Sequence, residues 1–549
     1  MRRALIVLAL LCFGFAIAAD CCRARSGRGK RVARASTLPA SAREAEDSAP
    51  ARAPVFRPNI PQGWDEGTVV NLQVPLAEPK YSPVEISWDY YYRIPRRLIY
   101  RSYPVYAPGH EPAGYFDWLK RQEPQVLWGV DYNGQSHTPP LDTEADWIKA
   151  GELVFDAPIA YDADPWGASV VSVDEVRSSA WYSAIHPPMG RDGVLPFTHY
   201  VIRKRGVVEL AQQSCGMCHT RVLKDGTVVK GAQGNFPFDR AAAERLEELE
   251  RQGNNETLLS QARKFLRSSF AAPWIDPGLS DRLGKMSLDE IADALRAIPP
   301  GMTDRSGSSL FHPVQTPDLI GLRARRYLDH TGLVQQRSTG DLMTYASLNQ
   351  DVGGLARYGG FVPDGTGFRV LPDPMERTRY SDEQLYALAL YIYSLQPPPN
   401  PNKFDALVAR GQQVFAAEGC ARCHTPPLYT NNRLTPAEGF TPPPDQLKEF
   451  EILPVSLHTD PELALKTRRG TGFYKVPSLR GVWYRGMFPH DGSCATLEGW
   501  FDPDRLRDDY VPTGFKGYGV AHRAVPGHQY GLDLSAADKA ALIAFLKTL

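Results

Sequence analysis

The sequence predicts a mainly α-helical chain: two tandem units of one build, joined by long loops and preceded by an extension. Three observations carry that expectation. The pentapeptides Cys215-Gly-Met-Cys-His219 and Cys420-Ala-Arg-Cys-His424 place one copy of a Cys-x-x-Cys-His motif in each unit. Amphipathic stretches with capping signals at their starts and proline or the chain end at their stops punctuate the units. Finally, Pro317-Asp318-Leu319-Ile320-Gly321 through His330-Thr331-Gly332 aligns without a gap on Pro477-Ser478-Leu479-Arg480-Gly481 through His490-Asp491-Gly492. Pro, Leu, Gly, Arg, His and Gly coincide, with Arg325 falling on Arg485.

In chain order, Arg2 and Arg3, the apolar run Ala4 to Ile17 and the small residues to Ala19 read as a signal peptide over 1–19, too short to span a bilayer. Residues 20–59 are basic and rich in Ala, Ser and Pro, and read as a disordered tether. Residues 60–145, with much Pro and Tyr and little periodicity, are expected as an irregular N-terminal extension. The first unit spans 146–397. It opens on a helix over Trp147 to Phe155, places a long insertion ahead of Cys215, and contains two capped helices. Ser287 with Glu290 precedes Leu288, Ile291, Leu295 and Ile298 before Pro299-Pro300, and Ser381 with Gln384 precedes Leu385 to Ile392 before Pro397-Pro398-Pro399. The second unit spans 398–549, with a helix from Phe404 to Ala417 running into Cys420 and a last helix opened by Ser535 and Asp538.

A Cys-x-x-Cys-His run supplies two thiols for thioether bonds to haem vinyl groups and a histidine for the iron. Two runs therefore predict two covalently bound c-type haems, held by Cys215, Cys218 and His219 and by Cys420, Cys423 and His424. A zinc ribbon sets its cysteine pairs about 15–20 residues apart, whereas these pairs stand roughly 200 apart. Covalent haem attachment outside the bacterial cytoplasm agrees with the export signal, so the expected location is periplasmic or secreted, with no integral membrane span after cleavage. Cys21 invites a lipoprotein anchor as the alternative, but Asp20 before it is a poor lipobox residue. The formal net charge of +0 argues against a nucleic-acid partner.

The tandem motifs, with Val476-Pro477-Ser478-Leu479-Arg480-Gly481, Phe488-Pro489-His490-Asp491-Gly492-Ser493 and Thr496-Leu497-Glu498, resemble the bacterial di-haem cytochrome c peroxidase superfamily. That superfamily also includes the di-haem maturation enzyme of methylamine dehydrogenase and the secreted rubber oxygenases. The resemblance covers 145–549 and implies two cytochrome c-like haem domains. One haem would do oxidative chemistry with oxygen or peroxide, and the other, held by two protein ligands, would relay electrons. In the peroxidases a histidine soon after the first motif caps that iron at rest. Here no histidine lies between His219 and His312, which favours an open first haem. Length, the extension and the run Gly226 to Phe236 look closer to the rubber-oxygenase branch, so an apolar alkene stands beside a small redox-protein electron donor as candidate partner. The resemblance leaves a bridging calcium ion open. A di-haem electron carrier with no substrate chemistry is the alternative function.

The resemblance also nominates individual residues. His219, Trp274 and His330 are the catalytic candidates: His219 on the first iron, Trp274 as a relay between haems or an ordinary buried aromatic, and His330 beside the first haem or bracing its loop. His528 is favoured as sixth ligand of the second haem, with His522, Met487 and His490 as competitors. Met286 or Met302 would close the first iron and make the protein an electron carrier, or would simply pack. Arg325, Arg480 and Arg485 are candidates for pairing with haem propionates.

Overall fold

The computed structural model describes residues 55–549 apart from 63–72, 83, 86–87, 163–169, 254, 273, 304–309, 353–355, 360 and 362–377. The expected signal peptide, most of the tether, and Cys21 and Cys22 lie outside the described residues. Among the described residues no helix is long and apolar enough to cross a membrane.

The fold is mixed α/β with helices dominant, which corrects the mainly α expectation. The correction comes from the stretch expected to be irregular and from the insertion ahead of Cys215. Strand β1 (Ser102–Tyr106) belongs to the extension. Helix α1 (Glu144–Asp156) follows, then β2 (Ala160–Tyr161), β3 (Val194–Lys204) and β4 (Val207–Gln212). These strands form one antiparallel sheet in the order β1-β3-β4-β2. Its alternation was hard to read for two reasons. Pro104 interrupts β1 beside a register shift, and the centre of β3 is buried on both faces, so apolar residues run on rather than alternate. A smaller sheet of Ile99–Tyr100, Val126–Val130 and Ser136–His137 lies within the extension.

β4 runs directly into the short helix α2 (Cys215–Cys218). Beyond it come α3 (Phe238–Arg251), α4 (Asn255–Phe270), α5 (Leu288–Arg296), α6 (Thr339–Ser347), α7 (Asp382–Ser394), α8 (Ala406–Ala417) and α9 (Ala536–Leu546). The helices expected from capping signals form where they should. Ser287 and Glu290 close a capping box on α5, Ser381 and Gln384 do so on α7, and Ser535 accepts the Asp538 amide at 3.1 Å on α9.

Two helix pairs frame the two motifs, and they are built alike. On α1, Gly151 lies so close to α7 that a Cβ there would stand 2.0 Å from the Ala387 carbonyl oxygen. On α8, Gly411 meets α9 the same way, with 1.9 Å to the Ala541 carbonyl oxygen. Four residues after each glycine an aromatic ring, Phe155 or Phe415, contacts a ring four residues beyond each alanine, Tyr391 at 5.2 Å or Phe545 at 5.3 Å. Glycine removes the side chain at the crossing so that the backbones approach, and the next turn fills the space with an aromatic pair. Cys215 belongs to the apolar cluster around α1 and α7, and Cys420 packs against the one around α8 and α9.

Candidate functional site

Each motif forms one tight turn. The His219 amide donates to the Cys215 carbonyl at 2.9 Å and the His424 amide to the Cys420 carbonyl at 2.9 Å, which gathers two thiols and one imidazole per turn. Ser214 caps the first turn by accepting the Met217 amide at 3.1 Å. Burial pushes the Cys420 thiol up to about 11 and raises that of Cys423, so both are protonated at pH 7 in the metal-free chain. No group of three or more His, Cys, Asp or Glu residues able to hold a metal ion occurs among the described residues. The zinc alternative therefore lacks its four-ligand site there, and the open calcium expectation gains no acidic cluster.

The internal repeat explains how the histidines are aimed. His219 Nδ1 lies 2.9 Å from the Pro317 carbonyl, and His424 Nδ1 lies 3.1 Å from the Pro477 carbonyl and 3.2 Å from that of Tyr429. A carbonyl can only accept, so Nδ1 carries the hydrogen and the lone pair sits on Nε2, the tautomer a metal-ligating imidazole needs. Pro317 and Pro477 are the first matched residues of the repeat. Arg325 and Arg485 brace the two loops identically: Arg325 donates to the carbonyls of Asp318 and Ile320, and Arg485 to those of Ser478 and Arg480, both at 2.8 Å. These are the same repeat positions in each copy. Arg480 itself is exposed.

The second site has a histidine on each side. The His424 and His528 ring centroids are 6.4 Å apart. Two imidazoles on opposite faces of one metal, each with a metal–nitrogen bond of about 2.0–2.1 Å, have centroids about 6 Å apart. Burial, then His424, pushes His528 down to about 4, and burial lowers His424, so both rings are neutral at pH 7. The Nδ1 atom of His528 is buried with no hydrogen-bond partner among the described residues. His528 adopts φ 44, a left-handed conformation that a non-glycine residue holds only under constraint. Its amide donates to the Leu457 carbonyl at 2.7 Å, and the fully buried Arg505 clamps the loop through the carbonyls of Trp500, Val525, Gly527 and His528. Sequence reading missed Arg505, since nothing marks a lone arginine 23 positions before the loop it holds.

The competitors lie elsewhere. His522 is exposed. Met286 and Met302 belong to an apolar cluster with α4 and α5, and Met487 packs against it. His490 stacks on Tyr474 at 4.0 Å. Trp274 stacks on Tyr81 at 4.1 Å and contacts Tyr358 and Phe361, which makes it one ring of an aromatic cluster. His330 Nε2 lies 2.8 Å from the Gln315 carbonyl, and burial pushes the ring down to about 3. It lines a small cavity of about 40 Å³ that Pro317 and Pro477 also line. Asp318 of the first copy accepts the Tyr484 hydroxyl of the second at 2.8 Å, a link between the two loops that the alignment could not show.

No family model and no curated protein matches the chain. Among solved structures, xenon-pressurised hydrazine synthase of Kuenenia stuttgartiensis is 18% identical over 53% of this chain and 87% of that one, with a TM-score of 0.26. A MauG-like protein associated with microbial copper homeostasis is 22% identical over 33% of this chain and 62% of that one, with a TM-score of 0.20. At those scores neither superposition carries an argument, and the functional reading rests on the site.

Proposed function

We propose that the chain is an exported di-haem c-type oxidoreductase, with two cytochrome c-like domains divided near 397, that activates oxygen or peroxide at the first haem and relays electrons through the second. The observation that carries this reading is the duplicated setting of the motif histidines, each oriented by the carbonyl of a repeat proline, with His528 facing His424 at 6.4 Å.

The residues present fit the cofactor. Cys215 and Cys218, and Cys420 and Cys423, would supply the thiols for the thioether bonds, while His219 and His424 would present Nε2 as the iron ligand. His528 supplies the second imidazole at the second site. When bound, haem with an open iron face takes up oxygen or peroxide, and haem with both faces ligated passes electrons only. The chain's own part is to fix tautomers through Pro317 and Pro477, to hold His528 by the Arg505 clamp, and to keep both second-site imidazoles neutral by burial. The sequence supports an asymmetric pair: the stretch from Thr331 to Tyr380, ahead of α7, contains no histidine to match His528 ahead of α9. A rubber-oxygenase-like dioxygenase acting on an apolar alkene and a peroxidase fed by a small redox protein are the two forms of this reading. Oxygen uptake without an external reductant selects the first, and peroxide turnover with reduced cytochrome selects the second.

The deciding experiment is a pyridine haemochrome assay with electron paramagnetic resonance on the exported protein. Two haem equivalents, one low-spin iron and one iron that binds carbon monoxide or cyanide, are expected. Fewer than two equivalents overturns the reading. Two six-coordinate irons closed to both ligands would make the chain an electron carrier.

A further inference from the structure

The cavity between the two repeat loops gathers three basic side chains against two carboxylates. Arg325, Arg485 and Lys475 all line it, together with Thr430, Tyr327 and Asn432. Two carboxylates stand nearby, and both are engaged. Asp318 accepts the Ile320 amide at 2.9 Å and the Tyr484 hydroxyl at 2.8 Å; Asp329 accepts the His330 amide at 2.6 Å and the Tyr345 hydroxyl at 3.2 Å. Arg485 Nε is buried without a hydrogen bond, 3.8 Å from the nearer Asp318 oxygen. Among the described residues the Lys475 ammonium has neither a hydrogen bond nor an ion pair, while its backbone amide is fixed on the His330 carbonyl at 3.0 Å. Burial, with Arg325 beside it, pushes this lysine down to about 7. Placing a third cation beside two arginines is costly unless an anion joins them.

The place of the cavity suggests which anion. Its walls include Pro317 and Pro477, the residues whose carbonyls orient His219 and His424, so it borders both motif sites at once. The ionised groups on the periphery of a haem are its two propionates, and carboxylates suit both an ammonium and the unpaired edge of a guanidinium.

We propose that Lys475, with Arg325 and Arg485, forms one anion seat between the two sites that receives propionate carboxylates from both haems and ties their reduction potentials to a shared charge. The inference rests on the di-haem reading. Lys475 is a positioning and charge-compensating residue here.

The test is a spectroscopic redox titration of both haems in the holoprotein, wild type against Lys475→Met, with haem content measured in parallel. Removing a cation favours the more positive oxidised iron, so the midpoint potentials should fall by about tenfold in the reduction equilibrium, which is about 59 mV for one electron. Lys475→Arg, which keeps the charge, should hold them near wild type. If Lys475→Met gives no folded holoprotein, Lys475→Gln is read by the same criterion. Unchanged potentials in a charge-removing variant that retains two haem equivalents overturn the seat. Wild-type potentials that respond to sulfate or acetate, but not to chloride at matched ionic strength, would assign the seat to a diffusible anion and overturn it too. Fewer than two haem equivalents in the wild type is a different failure, that of the di-haem reading itself.

Discussion

The two Cys-x-x-Cys-His halves agree where their geometry depends on a few close contacts and differ wherever length is unconstrained. Both cross a glycine-bearing helix over a partner at an alanine, with an aromatic pair one turn on. Both hold the motif histidine on a proline carbonyl and brace that loop with an arginine on two further carbonyls. Yet α8 ends at Ala417, just ahead of Cys420, whereas α1 ends at Asp156 and three strands of the four-stranded sheet, β2 to β4, intervene before Cys215. Because β4 delivers the chain to Ser214 at the end of the sheet, the turn is restored after the detour. A site fixed by backbone acceptors and one helix crossing tolerates a large insertion, since closing a longer loop adds entropy cost only slowly.

The halves part again on the far side of the second histidine, and the sharpest way to break the comparison is there. On the proposed di-haem reading, His528→Ala should convert the second haem from low-spin to high-spin and open it to carbon monoxide while leaving the first unchanged, so that low-spin iron falls by one equivalent. Retention of the low-spin signal would show that another residue faces His424. Next in size is Arg505→Met. It removes donors from the Val525, Gly527 and His528 carbonyls of the loop that holds His528 at φ 44, and from the Trp500 carbonyl that anchors the arginine. Charged hydrogen bonds of this kind are worth about 1.5–3 kcal/mol each before relaxation, so a loss of about 3 kcal/mol in unfolding free energy is expected. The spectrum of the second haem should broaden with it. A variant as stable as wild type would mean that the loop is held by other contacts.

How much of this was legible depended on the range of each signal. Ser287, Ser381 and Ser535 act on amides three residues away, so the helices they start could be read directly. The repeat of 317–332 on 477–492 was visible as letters, but the function of its prolines was not, because the His219 contact to Pro317 spans 98 positions. The fold class was read as too helical, since β3 lies buried on both faces and Pro104 breaks β1. His528 could be singled out as a late histidine before a capped helix. Arg505 and Lys475 could not, because a single arginine or lysine held inside a loop carries no local pattern, and only the folded loops reveal what surrounds it.

The helix crossings offer a way to sharpen the comparison. A Cβ at Gly151 or Gly411 would meet a backbone carbonyl at 2.0 or 1.9 Å, and backbone cannot rotate away as a side chain can. Gly151→Ala and Gly411→Ala should each cost about 1–3 kcal/mol, the range typical of overpacking, and by similar amounts. Chemical denaturation of the two variants measures this. Unequal costs would show that one pair carries more of the stability than its twin.

The effect that appears only below neutral pH concerns the matched histidines, His330 and His490. Burial lowers both, His330 to about 3, so each ring is neutral in the folded chain at pH 7. An unfolded histidine titrates near 6.5. Between about pH 3 and 6.5 the unfolded chain therefore binds the extra proton at His330, and stability rises with pH across that window. It is fully present above about 6.5 and is lost as the pH falls toward 3, by at most about 1.4 kcal/mol per pH unit for one ring. His330→Gln keeps a donor for the Gln315 carbonyl and removes the titration. Urea midpoints followed from pH 7.5 to 4.5 should fall less steeply in this variant than in the wild type, with the two curves parallel above pH 7. Equal slopes below pH 6.5 would mean that the folded protein accepts a proton on His330 as readily as the unfolded chain does, and that its bond to the Gln315 carbonyl does not keep the ring neutral.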